Sequence, residues 1–416
     1  MRSINWSGAP EGATPVQRRN YLLVQIDGFG VGLEVAAATF LPVFLARLGA
    51  SNFEIGLLTA MPAFTGLLLS IPAGRFLQSH GNVVAWHSRT RLLYVSSYAV
   101  IGVASLVLPG PYVIPALLAI RMVATFSLTL LAVAFTVVMN AVAGPTGRYA
   151  LMSRRWSIGG ITSALAVMTV GQILNRLEFP TNYQLVLIFL SSSGLISYFS
   201  SIRIQLPDPE PASRAHGLSF SQRVKGSIDL IRREPAFISF NAKWFVYAAG
   251  LIQSIPLFPL YYVNTVQATD AWIGIINSVQ AAVAPLGYLL WARQIRARGS
   301  RFVMLSTTLA LALYPALTAL THRVEWIALY AGLSGIFAAG LNLVSFDELM
   351  KTVPTEYSAF FVSLTQTLQN FSAVATPLLG TLLADQIGLG GALVVSGLLR
   401  LTGFGLFAFG KGAAGQ

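Results

Sequence analysis

Asp27 and Glu34 interrupt an apolar run, YLLVQIDGFGVGLEVAAATF (Tyr21 to Phe40), that is long enough to cross a bilayer. An ionised carboxylate in hydrocarbon costs at least about 2.5–3.5 kcal/mol, so such groups are retained for a pathway or a partner. The two stand seven residues apart. At about 100° per residue that spacing puts both on one helix face, roughly 10 Å apart along the axis. A carboxylate in low dielectric can load and release a proton as its surroundings change. It can equally lock onto a cation. Arg121, in AIRMVATFSLTLL (Ala119 to Leu131), is such a cation at membrane depth. Counting the helical rise places Glu34 about 20 Å and Arg121 about 16 Å from the cytoplasmic edge, so the two are expected to meet. That pair reads either as a structural lock or as a coupling device. Asp27 has no cation at its own depth in this count. It is left for a proton, a substrate group or cavity water.

The second half of the chain offers a different set. NAKWFVYAAGLIQ (Asn241 to Gln253) places Lys243 one or two turns deep, with Asn241, Trp244 and Tyr247 around it. LNLVSFDELMK (Leu341 to Lys351) ends in Asp347 and Glu348. An inner gate from Lys243 to one of these acids is one reading, and solvated helix ends the other. Gln366 and Asn370 lie four residues apart and therefore share a helix face. With Asn277, Gln280 and Asn342 they are candidates for hydrogen-bonding a substrate, or for bonding one helix to another. Arg400 sits in the middle of an apolar segment with no assigned partner.

These residues need membrane helices to hold them. Of 416 residues, 55% are hydrophobic and 10% charged, and mean hydropathy is +0.66. A soluble domain carries about a quarter charged residues. About 20 apolar residues cross a hydrocarbon core, and unbroken rather than alternating runs select helices over a barrel. Twelve crossings are expected, at residues 20–47, 53–77, 88–108, 112–142, 149–175, 182–204, 236–263, 270–293, 301–320, 325–350, 356–385 and 389–410. The fold class is all-α integral membrane, in two six-helix bundles at 20–205 and 236–410. Residues 1–19 form a cytoplasmic segment, 206–235 a polar linker with a short amphipathic helix near Phe220 to Ile231, and 411–416 a cytoplasmic tail.

Basic residues set an N-in, C-in orientation. Arg75, Arg91, Arg155, the linker and the run from Arg293 to Arg301 then lie in the cytoplasm, with only Arg47, Arg176 and Arg323 outside. The same distribution accounts for the net charge of +12 without a nucleic-acid partner. The chain has no cysteine, and no histidines are spaced as a ligand pair. No metal, no cofactor and no enzymatic activity are expected.

The two halves repeat in order. RRNYLL answers RREPAF, EIGLL (Glu54 to Leu58) answers WIGII (Trp272 to Ile276), and GPTGRYALMS answers VPTEYSAFFVS. Asn241 takes the place of Asp27 in this alignment. A glycine- and arginine-rich loop, GYLLWARQIRARGSRF (Gly287 to Phe302), is answered by a diverged first copy, PAGRFLQSHGNVVAWHSRTR (Pro72 to Arg91). With these loops and Arg121, the chain resembles a major facilitator superfamily transporter over essentially its whole length. It departs from that family in lacking the glycines after Arg121 and a Gly-Pro pair in the fifth segment.

The resemblance implies a central cavity lined by the first, fourth, seventh and tenth segments, with Arg75, Arg293 and Arg301 at a cytoplasmic gate. It implies a monomeric, plasma-membrane secondary transporter. A small amphipathic or hydrophobic solute, proton coupling and export are the expectations. A non-transporting lipid- or pigment-handling assembly factor of the same fold is the alternative.

Overall fold

The computed structural model describes residues 9, 12–79, 82–206, 231–353 and 358–410. All their regular elements are helical. Eleven segments among the described residues are long and apolar enough to cross a membrane. We label them α1 (Pro15–Arg47), α2 (Asn52–Ser79), α3 (Val83–Val107), α4 (Gly110–Gly144), α5 (Leu151–Arg176) and α6 (Thr181–Ser201). Then come α7 (Pro235–Leu260), α8 (Asp270–Arg298), α9 (Ser300–Ala319), α10 (Val324–Met350) and α11 (Ser358–Phe409). The expected helix near Phe220 to Ile231 lies outside the described residues, apart from its last position.

Local chemistry explains where the helices stop. Gly144 (φ 67°) separates α4 from α5, and Gly388 (φ 79°) breaks α11 into two helices. Both need the left-handed backbone that glycine adopts without a Cβ penalty. At about 1.5 Å per residue α11 is long enough for two crossings. The C-terminal end of α1 closes in a Schellman motif, with Gly49 N–H donating to Ala46 C=O (3.1 Å) and Ala50 N–H to Leu45 C=O (3.0 Å). Two residues later α2 opens in a capping box. Ser51 N–H donates to Glu54 Oε2 (2.7 Å), and Glu54 N–H donates back to Ser51 Oγ (3.3 Å). This tight corner fixes Arg47 at the end of its helix.

The described residues divide into two compact units. The first holds Met1–Pro209 together with Pro259–Ala282, and the second holds Glu210–Phe258 and Val283–Gln416. The sequence division at 236 therefore needs one correction, because Pro259–Ala282 packs with the first unit. Glycines explain why. A Cβ on Gly171 would lie 3.0 Å from Gly274 Cα, so α5 and α8 touch backbone to backbone. Ser278 Oγ donates to Ala164 C=O across the same seam (2.9 Å). This piece contains a π-helical turn at Tyr261–Thr265.

Within the first unit, α1 packs closely on α5. A Cβ on Gly32 would lie 2.6 Å from Gly159 C=O and from Thr162 Cβ, and one on Gly28 would lie 3.0 Å from Arg155 Cγ. Small residues at such seams let membrane helices approach, and van der Waals contact then holds them. Asn20 ties the start of α1 to the end of α6, donating to Gln205 C=O (2.7 Å) and accepting from Gln205 N–H (3.1 Å). Gly32→Val is expected to cost about 1–3 kcal/mol, the usual range for overpacking. Gly160→Ala is its control, because nothing lies within 4 Å of that site. Thermal unfolding in detergent reads the difference, and equal midpoints for the two variants would refute this account of the seam.

The second unit packs around Phe237, Phe240, Tyr247, Trp291 and Phe361. Trp291 Nε1–H donates to Ile336 C=O (2.9 Å), so the indole fills the core without losing its hydrogen bond.

Candidate functional site

Asp27 is buried to 1% exposure, yet it is not alone. Arg155 of α5 donates to its Oδ2 through Nη2 (2.8 Å) and Nε (3.3 Å). Arg91 of α3 brings its Nε to 4.0 Å from Asp27 Oδ1. The same Arg91 donates through Nη1 to Glu34 Oε2 (3.2 Å). The expectation that Asp27 lacks a cation is overturned. Arg91 and Arg155, expected only as cytoplasmic-side charges, are both buried. The physical reason is that a desolvated carboxylate draws in whatever guanidinium its neighbouring helices can supply. Gly28 lets α5 come close enough to supply Arg155.

The expected Glu34–Arg121 pair is also corrected. Arg121 donates instead to Tyr94 Oη (2.8 Å) and Ser97 Oγ (2.9 Å), both on α3. Its guanidinium carbon lies 4.8 Å from the Tyr94 ring centroid and 4.6 Å from that of Tyr98. The depth count was sound in bringing Arg121 to this level. It left out α3, whose Arg91 reaches Glu34 first. His87, also on α3, is wholly buried, and neither ring nitrogen hydrogen-bonds to the protein. The signal missed in the sequence is HSRTRLLYVSSY (His87 to Tyr98). There His87, Arg91, Tyr94 and Tyr98 recur every three or four residues and so share one helix face.

A second polar cluster closes the C-terminal end of α1. Arg47 donates to Asp270 Oδ1 through Nε (2.8 Å) and to Ala268 C=O (2.8 Å). Tyr183 O–H donates to the same Asp270 oxygen (2.6 Å), and its ring stacks on Phe44 at 5.0 Å. A cavity of about 520 Å³ opens beside it, lined by Arg47, Asn175, Asn182, Asn264, Thr269 and Asp270. The sequence reading had Arg47 only as an outside charge and did not single out Asp270 or Tyr183.

Three candidates of the second unit, Asn241, Trp244 and Tyr247, are engaged in packing. Asn241 donates to Phe237 C=O (3.1 Å) and accepts from Thr365 O–H (2.9 Å), joining α7 to α11. Tyr247 is fully buried, donates to Thr308 C=O (3.4 Å) and stacks with Trp244 at 5.8 Å. Asn342 is exposed and reaches Tyr288 Oη at 3.5 Å. Gln366 is exposed and Asn370 half-buried. Asn277 and Gln280 fall in the first unit, where Asn277 donates to its own helix at Ile273 C=O (2.8 Å).

The expected inner gate is corrected as well. Asp347 and Glu348 both pair with Lys351, each at 2.8 Å. The acids take the lysine one turn away on the same chain end, which costs little ordering. Lys351 lies just past the end of α10. Partial desolvation lowers its basicity, but the hydrogen bonds to Asp347 and Glu348 outweigh it and hold the ammonium above the ordinary lysine value. Lys243 reaches the end of α11, where a Cβ on Gly410 would meet its Nζ at 2.8 Å. A cation at a helix C-terminus meets the negative end of the helix dipole. Arg75, Arg293 and Arg301 are exposed. Arg400, unassigned from sequence, is a buried tie: it donates to Leu311 C=O on α9 (2.9 Å) and to Ser254 Oγ on α7.

The eleven apolar helices among the described residues make the chain a multi-pass membrane protein. Its fold is that of the major facilitator superfamily transporters. Nucleoside transporter NupG superposes with a TM-score of 0.71 at 12% identity, over 96% of this chain and 100% of that one. A bacterial homologue of the iron transporter ferroportin gives 0.69 at 14% identity, over 94% and 98%. A POT family transporter in complex with a thioalcohol-conjugated peptide gives 0.69 at 13%, over 94% and 96%. At sequence level, 167 residues are 27% identical to multidrug resistance protein MdtG of Serratia proteamaculans (strain 568). That match covers 38% of this chain and 40% of the relative. No protein-family model matches the chain.

Proposed function

We propose that the chain is a secondary active transporter of the cytoplasmic membrane that moves a small amphipathic solute outward by alternating access. In this reading it is a monomer with twelve crossings and both termini inside, and a proton gradient drives it. The observation that carries the reading is the network of Asp27, Glu34, Arg91 and Arg155 at the centre of membrane helices. Buried ionic groups in such helices are costly, and they mark substrate and proton pathways. The likeness to MdtG supports the outward direction.

Geometry separates the two acids. Asp27 is bonded twice by Arg155 and faces Arg91. Glu34 has one hydrogen bond, from an arginine it shares, and it keeps about 9% of its surface open. We assign Glu34 as the group that loads a proton outside and releases it inside on the return leg. Asp27 holds the arginines in place.

The test is purified protein in liposomes with an acidic lumen, challenged with a panel of cationic, anionic and neutral amphiphiles. Collapse of the pH gradient by at least one class, absent from protein-free liposomes, is the expected result. If no class collapses it and the protein instead retains a bound lipid or pigment through purification, the assembly-factor reading replaces this one.

A further inference from the structure

We infer that the solute is an organic anion, an apolar body carrying one negative charge that docks at Arg121. This rests on the transporter reading above and adds the sign of the substrate's charge. In the first unit, α1, α3, α4 and α5 bring three buried guanidiniums, Arg91, Arg121 and Arg155, against two buried carboxylates, Asp27 and Glu34. The described side chains of the cluster therefore carry one positive charge in excess, even with His87 neutral. The excess does not depend on how the acids are shared. If Glu34 turned from Arg91 to Arg121, Arg91 would be the cation left over.

As the side chains stand, the excess sits on Arg121. Asp27 is held by Arg155 and Glu34 by Arg91. The hydrogen bonds and ring contacts of Arg121 are all to neutral groups: the Tyr94 hydroxyl, the Ser97 hydroxyl and the two tyrosine ring faces, while Glu34, within electrostatic reach, is hydrogen-bonded by Arg91. A guanidinium offers five N–H donors, so these two hydrogen bonds leave donors for a carboxylate or sulfonate. Ring faces stabilise a cation more weakly than an anion in a poorly solvated site. A bound monoanion brings the charge of the cluster to zero, whereas a cation doubles the excess. An anion leaving the cytoplasm also runs down the inside-negative membrane potential, in agreement with outward movement.

The experiment uses three probes with one skeleton and fixed charge: phenylbutanesulfonate, phenylbutyltrimethylammonium and phenylbutanol. The thermal midpoint of the purified full chain is read against concentration for each, which reports binding without requiring transport. The sulfonate is expected to raise the midpoint at concentrations at least tenfold below those needed for the other two. Arg121→Lys keeps part of that shift and Arg121→Gln loses it. A cation that stabilises as well as the sulfonate overturns the inference, and so does a sulfonate shift that survives Arg121→Gln. If Arg121→Gln does not fold, the order of the three probes on the wild type and on Arg121→Lys decides alone. Sulfonate binding without any solute movement in liposomes would instead remove the transporter reading and leave the binding site standing.

Discussion

Arg155→Met is expected to lower stability by about 3–5 kcal/mol, the usual cost of stripping one partner from a buried ion pair. Asp27 is 1% exposed and takes both of its hydrogen bonds from Arg155. Arg91 stands at 4.0 Å from the other oxygen and is committed to Glu34, so it cannot replace them. Adding Asp27→Asn to Arg155→Met removes the stranded charge. Replacing a whole buried pair is often neutral or stabilising, so the double variant should recover most of the loss. Because the two residues touch, their effects will be strongly non-additive. Midpoints of detergent-solubilised protein give all four corners of the cycle. Additive losses from the two single changes would show that the pair is not the lock described here.

The second large effect is on coupling. Glu34→Gln should abolish transport driven by a pH gradient while leaving solute exchange across membranes without one. Glutamine keeps the size of the side chain and can still accept from Arg91, but it cannot carry a proton. Exchange needs the binding site and the alternation between faces, not net proton movement. The stability loss should be smaller than for Arg155→Met, because Arg91 retains Asp27 nearby. Asp27→Asn, by contrast, should impair exchange and driven transport together, since it leaves the buried Arg155 without its carboxylate. If the two variants exchange their phenotypes, Asp27 is the proton carrier and Glu34 the positioning group.

Much of this was legible in the sequence, and the gaps have physical causes. Hydropathy alone located the membrane segments, because about 20 apolar residues in a row admit few other structures. The helix ends at Gly144 and Gly388 were marked by glycine. Asp27 and Glu34 stood out because charge in hydrocarbon is costly. Their partners did not. Arg91 and Arg155 lie within the first three turns of their helices and read as cytoplasmic charges under the positive-inside rule. Only packing shows that they turn inward, and that packing depends on Gly28 and Gly32, residues that composition does not distinguish from any other membrane glycine. The Arg47–Asp270 cluster was hidden for a related reason. Arg47 and Asp270 are separated by 223 residues, and no local pattern links them. Asn241 shows a different gap. Asn241 was found in the right place, but its side chain is used between α7 and α11, which spacing along one helix cannot reveal.

The measurement closest to the central claim is proton flux during solute movement. Protein is reconstituted into liposomes that contain a pH-sensitive dye and phenylbutanesulfonate, with equal pH on both sides. Outflow of the solute down its own gradient should acidify the lumen of wild-type liposomes. Glu34→Gln liposomes should show no acidification, and with exchange intact they should still trade the solute. Solute outflow from the wild type with no change of lumenal pH, or the same acidification with Glu34→Gln, would contradict the account.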